Sequence, residues 1–171
     1  KNIHNVKARG LKAVILRKLG RTEKAAAWVE ENLALDPFDF LSRFEKALLS
    51  GQKEEILSEM NQLMRDFHEN YLQTARDYAE SGCWEEALEI LDQCTGKSPM
   101  LFYYKGYYNK KLGNMERCRE EYQKADNCCP DCCFPNKTED IAVLDDAIRE
   151  YPQGAKSYYY LGCLYYDKLQ F

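Results

Sequence analysis

Apolar and small side chains recur along this chain at helical spacing, and glycine interrupts them at a constant interval. Gly20, Gly51, Gly82 and Gly113 stand 31 residues apart each time. Between them the pattern repeats in phase. Tyr71, Thr74, Ala75, Tyr78, Gly82, Trp84, Ala87, Leu91, Cys94 and Pro99 share their offsets with Phe102, Lys105, Gly106, Asn109, Gly113, Met115, Cys118, Tyr122, Ala125 and Pro130. A large residue is followed four later by a small one, then by a turn glycine, another small residue and a proline. Small residues at Ala75, Gly106, Ala87 and Cys118 let two helices approach closely, and aromatic side chains fill the space between pairs. The pattern predicts an all-α chain of antiparallel helical hairpins.

The hairpins fall at about 7–37, 38–67, 68–98 and 99–130. Asp36-Pro37 and Ser98-Pro99 each read as an N-cap followed by proline at the first helical position. The first repeat departs from the pattern at Lys12 and Asn32. The second carries Phe44 and Ile56 where small residues are expected, which predicts looser packing. After Pro130 the period breaks. A Cys/Pro-rich loop over 128–136 leads to a helix within 137–152, with Ile141, Leu144, Ala147 and Ile148 on one face. It reads as half of a repeat, capped by Asn136 or Thr138. A last helix over 154–168 places Tyr158, Leu161, Gly162 and Tyr165 in the large, large, small, large order, and Phe171 in the aromatic slot that follows. It reads as a first helix without its second, and therefore as under-packed.

This order of residues resembles the tetratricopeptide repeat (TPR), whose helical pairs stack into a right-handed solenoid. The resemblance implies one continuous domain over 1–171 that acts as a protein-interaction or scaffold module. It also implies that certain first-helix positions line a concave groove for a peptide or neighbouring domain. Those positions hold Arg76, Tyr103, Tyr107, Lys110, Tyr159 and Tyr166 as the partner-binding candidates, with Lys7, Val14, Arg17, Lys18, Leu41, Glu45, Leu48, Leu72 and Glu80 elsewhere along the groove. TPRs that bind chaperone C-termini use Lys and Asn where this chain has Gly10 and Val14, so that activity is not expected. A narrower run looks like the C-terminal TPR region of large bacterial proteins of unassigned function. It comprises Cys133-Phe134-Pro135-Asn136, Ile141-Ala142-Val143-Leu144, Ser157 to Gly162 and Tyr166-Asp167-Lys168. Those proteins carry an N-terminal β-rich part similar to sugar-processing enzymes. This likeness implies a fragment of a longer bacterial protein, and a second role as a structural C-terminal extension packed on a carbohydrate-active domain.

Composition narrows the partners. The chain has 171 residues, 45% hydrophobic and 30% charged, with a net charge of −4, which argues against a general nucleic-acid binder. No apolar run is long enough to span a membrane, so no membrane partner is expected. The basic stretch over 1–24 reads as a solvated face. Eight cysteines in a chain large enough to bury a core read as reduced thiols in a reducing compartment, the cytoplasm.

Four of them, Cys128, Cys129, Cys132 and Cys133, are the one cluster with metal-ligand or redox spacing. Adjacent cysteines point apart, and no second pair or histidine lies nearby, so neither a metal nor another cofactor is expected. His4 and His68 lie outside any ligand or triad motif. Carboxylate pairs such as Glu85-Glu86 and Asp145-Asp146 diverge on their helices. Without a phosphate loop or nucleophile elbow, the chain does not read as an enzyme.

Overall fold

The computed structural model describes residues 5–131 and 133–169; His4, Cys132 and Phe171, singled out above, lie outside the described residues. Among the described residues every regular element is an α-helix. They are α1 (Val6–Lys18), α2 (Thr22–Leu35), α3 (Phe40–Leu49), α4 (Lys53–Met64), α5 (His68–Glu80), α6 (Trp84–Gln93), α7 (Pro99–Lys111), α8 (Met115–Asn127), α9 (Thr138–Glu150) and α10 (Ala155–Asp167). The fold is an all-α, TPR-like succession of helical hairpins. Packing divides it into two compact units, Lys1–Cys83 and Trp84–Phe171.

Three of the four phased glycines are there for their backbone. Gly20, Gly82 and Gly113 have φ of 71°, 75° and 82°, the left-handed region that side chains disfavour. At each, the glycine N–H and the next N–H bond back to carbonyls of the preceding helix, as in Gly113 to Lys110 and Asn114 to Asn109. That closes the helix end and reverses the chain. Gly51 does not take this conformation; α3 ends instead at Ser50 in an extended geometry.

In the first unit, α1 packs on α2, α2 on α3, and α3 on α4. The two departures in the first repeat turn out to be polar clasps. Asn32 is buried. Its amide nitrogen lies 3.1 Å from the Val6 carbonyl, 2.8 Å from Asp39 Oδ2 and 2.9 Å from Ser42 Oγ, while its oxygen accepts from Arg9 Nε. One side chain thereby ties α1, α2 and α3. Lys12 lies 3.7 Å above the Trp28 ring, with the Arg9 guanidinium 4.5 Å from it, a cation–π arrangement.

The second repeat accepts its large residues differently. Phe44 is fully buried, edge-on to Tyr78 at 5.6 Å. Helix α4 turns by one position, so Leu57 enters the core and Ile56 sits half-buried. The expectation at Asp36-Pro37 is corrected: α3 begins at Phe40, with Asp39 as N-cap. The Asp36 carboxylate accepts from the Phe38 N–H and builds a turn. Ser98-Pro99 does open α7, but without a side-chain capping bond.

In the second unit, α7 and α8 form the tightest pairing. A β-carbon at Gly106 would overlap the Tyr122 ring and stand 3.1 Å from the Cys118 carbonyl oxygen. Helix α9 runs beside α7 in the same direction, since its successive carboxylates meet successive α7 side chains. Helix α10 folds back on α9. In its first turn, the Lys156 backbone N–H bonds Asp126 near the end of α8 at 2.9 Å.

The glycines give a matched pair of expectations. Gly106→Ala should destabilise the chain by about 1–3 kcal/mol, because the added carbon forces Tyr122 aside in a packed interior. Gly162, inside α10, has nothing within 4 Å of a built β-carbon. Gly162→Ala should therefore stabilise by about 0.5–1 kcal/mol through helix propensity alone. Urea denaturation of the two variants checks both signs.

Candidate functional site

Each second-unit residue predicted to line a groove has a definite place. Tyr103, on α7, is 1% exposed. Its ring packs 6.2 Å from Tyr122 of α8 and 6.1 Å, edge-on, from Tyr160 of α10. It is core, and its role as an open groove residue is corrected. The reason is close approach: Gly106 draws α8 in, α10 closes over, and Tyr103 fills the seam.

Lys110 is engaged from within. Its Nζ lies 2.5 Å from Asp146 and 2.9 Å from Glu150, both on α9. Bonding to Asp146 raises the lysine's ionisation range above its ordinary 10.5. Asp146 is itself buried, and its other oxygen accepts from the Tyr122 hydroxyl at 2.7 Å. One carboxylate thus joins α7, α8 and α9. Further along, Asp140 accepts from the Tyr104 hydroxyl at 2.6 Å and from the N–H groups of Asn136 and Lys137 at 3.0 Å each. This fixes the start of α9, through a residue other than the two foreseen as caps.

Tyr107 is half-buried, with Lys111 Nζ 4.8 Å from its ring. Arg76 lies in the first unit and is buried, with Gln73 at 3.3 Å and Glu69 at 3.5 Å. It packs along its own helix, α5. The first unit also holds a bond set akin to that at Asp146. The buried Glu45 carboxylate accepts from Arg17 at 2.7 and 2.9 Å and from the Tyr78 hydroxyl at 2.7 Å.

Tyr159 and Tyr166 are different. They stand 60% and 73% exposed on α10, beside Tyr158 at 48% and Tyr165 at 36%. Tyr158 and Tyr165, which occupy large slots of the repeat, are not core. Helix α10 turns Ser157, Tyr160, Leu161 and Leu164 inward, because its neighbours all lie on that side. Four tyrosines are left along the outer face, and Leu169, beyond the helix end, is exposed as well.

The cysteine loop is split by burial. Cys133 is buried, Cys128 half-buried and Cys129 exposed. Burial pushes the Cys128 thiol upward, and its carbonyl oxygen accepts from Lys156 Nζ. Among the described residues no three His, Cys, Asp or Glu side chains gather as a ligand set. A cleft of about 420 Å³ opens beside the loop, lined by Pro130, Asp131, Cys133, Phe134, Lys156 and Tyr159. Cys118, behind Tyr122, is fully buried, and burial pushes its thiol up to about 11. No helix among the described residues is long and apolar enough to cross a membrane.

No protein-family model matches the chain, and no curated protein matches it. Solved structures do superpose loosely. MamA 41-end from Desulfovibrio magneticus RS-1 is 13% identical, with 95% of this chain and 96% of that one covered at a TM-score of 0.40. YrrB, described as a TPR protein with an unusual peptide-binding site, is 14% identical, with 99% and 80% covered at a TM-score of 0.32.

Two outcomes follow from the Asp146 cluster and its tyrosines. Asp146→Ala leaves Lys110 and the Tyr122 hydroxyl without their shared acceptor and should cost about 2–4 kcal/mol. Glu150→Ala, at the rim, should cost under about 1 kcal/mol; thermal denaturation of both variants checks the contrast. Burial raises the ionisation range of Tyr103, Tyr122 and Tyr160 above the ordinary 10.0. The folded chain therefore keeps protons that the unfolded chain releases. The stabilisation is complete below about pH 10 and fades as pH climbs past it, with Lys110 acting in the same direction. Tyrosinate absorbance should rise in two stages on alkaline titration, the second coinciding with loss of helicity.

Proposed function

We propose that this chain is a protein-interaction module, and that its contact surface is the outer face of α10 together with the half-buried Tyr107. The observation that carries the reading is a contrast within one unit. Tyr103 and Lys110 are used up by internal packing and pairing, whereas Tyr158, Tyr159, Tyr165 and Tyr166 lie in a row at the surface. An exposed row of large side chains of this kind marks an interaction site. Tyrosine suits it, since it offers much contact area for little conformational entropy. The partner is a protein segment or a neighbouring domain. The reading calls for neither nucleic acid nor cofactor, and for no catalysis.

Site-specific photo-crosslinking tests this. A photo-reactive phenylalanine analogue placed at Tyr159 or Tyr166 in the full chain, in cells that make the protein, should give a discrete protein adduct. The same analogue at Glu55, on α4, should not. Absence of adducts at both tyrosine positions, or equal adducts at all three, overturns the reading.

A further inference from the structure

Helix α7 uses its lysines in two ways. Lys105 pairs with Asp92 at 2.8 Å, and Lys110 pairs with Asp146 and Glu150. Lys111, the third lysine of the helix, is exposed and makes no ion pair among the described residues. Its ammonium stands over two rings instead, 4.8 Å from Tyr107 and 5.9 Å from Trp84.

The rings are placed by their helices. Tyr107 lies one turn before Lys111, on the same face of α7. Trp84 opens α6, which packs on α7. Tyr108 touches both and is itself 2% exposed. Its ring lies 5.7 Å from Trp84, tilted by 47°, and 6.1 Å from Tyr107, tilted by 56°. One buried ring thereby braces two half-buried ones, and the pair forms a corner that Lys111 overlies.

Such a corner suits a cation. The face of an aromatic ring is negative, and tryptophan is the strongest acceptor of this kind. Lys111 stands in the last turn of α7, where the helix end adds partial negative charge. Glu85 and Glu86 offset the positive end of α6. Trp28 shows the same chemistry completed within the chain. The Arg9 guanidinium lies 4.5 Å from that ring, held there by Asn32 and Glu31, with Lys12 at 3.7 Å.

Lys111 is a weak occupant by comparison. An exposed ammonium is strongly hydrated, whereas a guanidinium is planar, more weakly hydrated and stacks on aromatic faces. Building on the interaction-module reading, we propose that the corner of Trp84 and Tyr107 is an arginine pocket. A partner segment lays a guanidinium against the two rings, and Lys111 moves aside into solvent. Lys111 is the chain's own stand-in for that cation and competes with it.

The test follows the two indole N–H resonances of the full chain by NMR. The probe is a capped tripeptide with arginine between two glycines. Lysine and citrulline versions are the controls, since citrulline keeps the planar shape without the charge. The arginine peptide should shift the Trp84 signal saturably and leave that of Trp28 in place. The lysine peptide should bind about threefold more weakly, and the citrulline peptide should give no saturable shift. Tyr107→Leu should weaken arginine binding about fivefold, whereas Lys111→Ala should tighten it about threefold by removing the competitor. A lysine with a merely structural role would not have that effect. Circular dichroism shows that both variants are folded. No saturable shift at Trp84, an equal response to citrulline, or unchanged or weaker binding in Lys111→Ala overturns the proposal. Crosslinks at Tyr159 without an arginine response leave the interaction module standing and strike out its pocket. An arginine response without crosslinks leaves the pocket standing and strikes out the α10 surface. If neither appears, both readings fall.

Discussion

The Asp146 carboxylate sets the arrangement of the second unit. It is buried, and a buried carboxylate must find donors. It finds Lys110 from α7 and the Tyr122 hydroxyl from α8, and it rides on α9. Those bonds seat α9 alongside α7 and hold the half-buried Lys110 against it. With α9 placed there, α10 folds back to bury Tyr160 against Tyr103. Which tyrosines are core and which are surface follows from that order of events in space. Glu45 holds the comparable position in the first unit, with Arg17 and the Tyr78 hydroxyl as its donors.

The fold was legible because its signal is periodic. Glycine at 31-residue intervals carries a backbone requirement at three of four positions, and small residues at fixed offsets carry a steric one. Neither depends on distant parts of the chain. The site was much less legible. Tyr103 and Tyr159 occupy the same repeat position, yet one is core and the other surface, and the difference lies in α8 and in what covers it. Lys110 reads as an open groove residue until α9, 36 residues on, supplies Asp146. Local pattern cannot report a partner that far away.

The departures from pattern tell the same story from the other side. Asn32 and Lys12 weaken the repeat as a motif, but each makes a specific bond set that an alanine could not. A signal for Asn32 was present in Asp39 and Ser42, two polar residues spaced to meet it from the next helix. Phe44 and Ile56 show the alternative: a large residue where a small one is usual, absorbed by an edge-on ring contact and by a one-position turn of α4.

Cys118 adds a practical property. Its thiol sits behind Tyr122, wholly covered, with its ionisation pushed up to about 11. Thiolate is the reactive form, so at neutral pH this sulfur is doubly protected, by coverage and by its proton. It reacts only when α8 lifts from α7. With the other buried thiols, Cys94 and Cys133, replaced by alanine, a maleimide or disulfide reagent reads the opening of that one hairpin, while the exposed Cys129 and Cys163 label at once. The slow phase of such labelling is a clock for local unfolding, placed by the sequence itself at the seam where the hairpin is tightest.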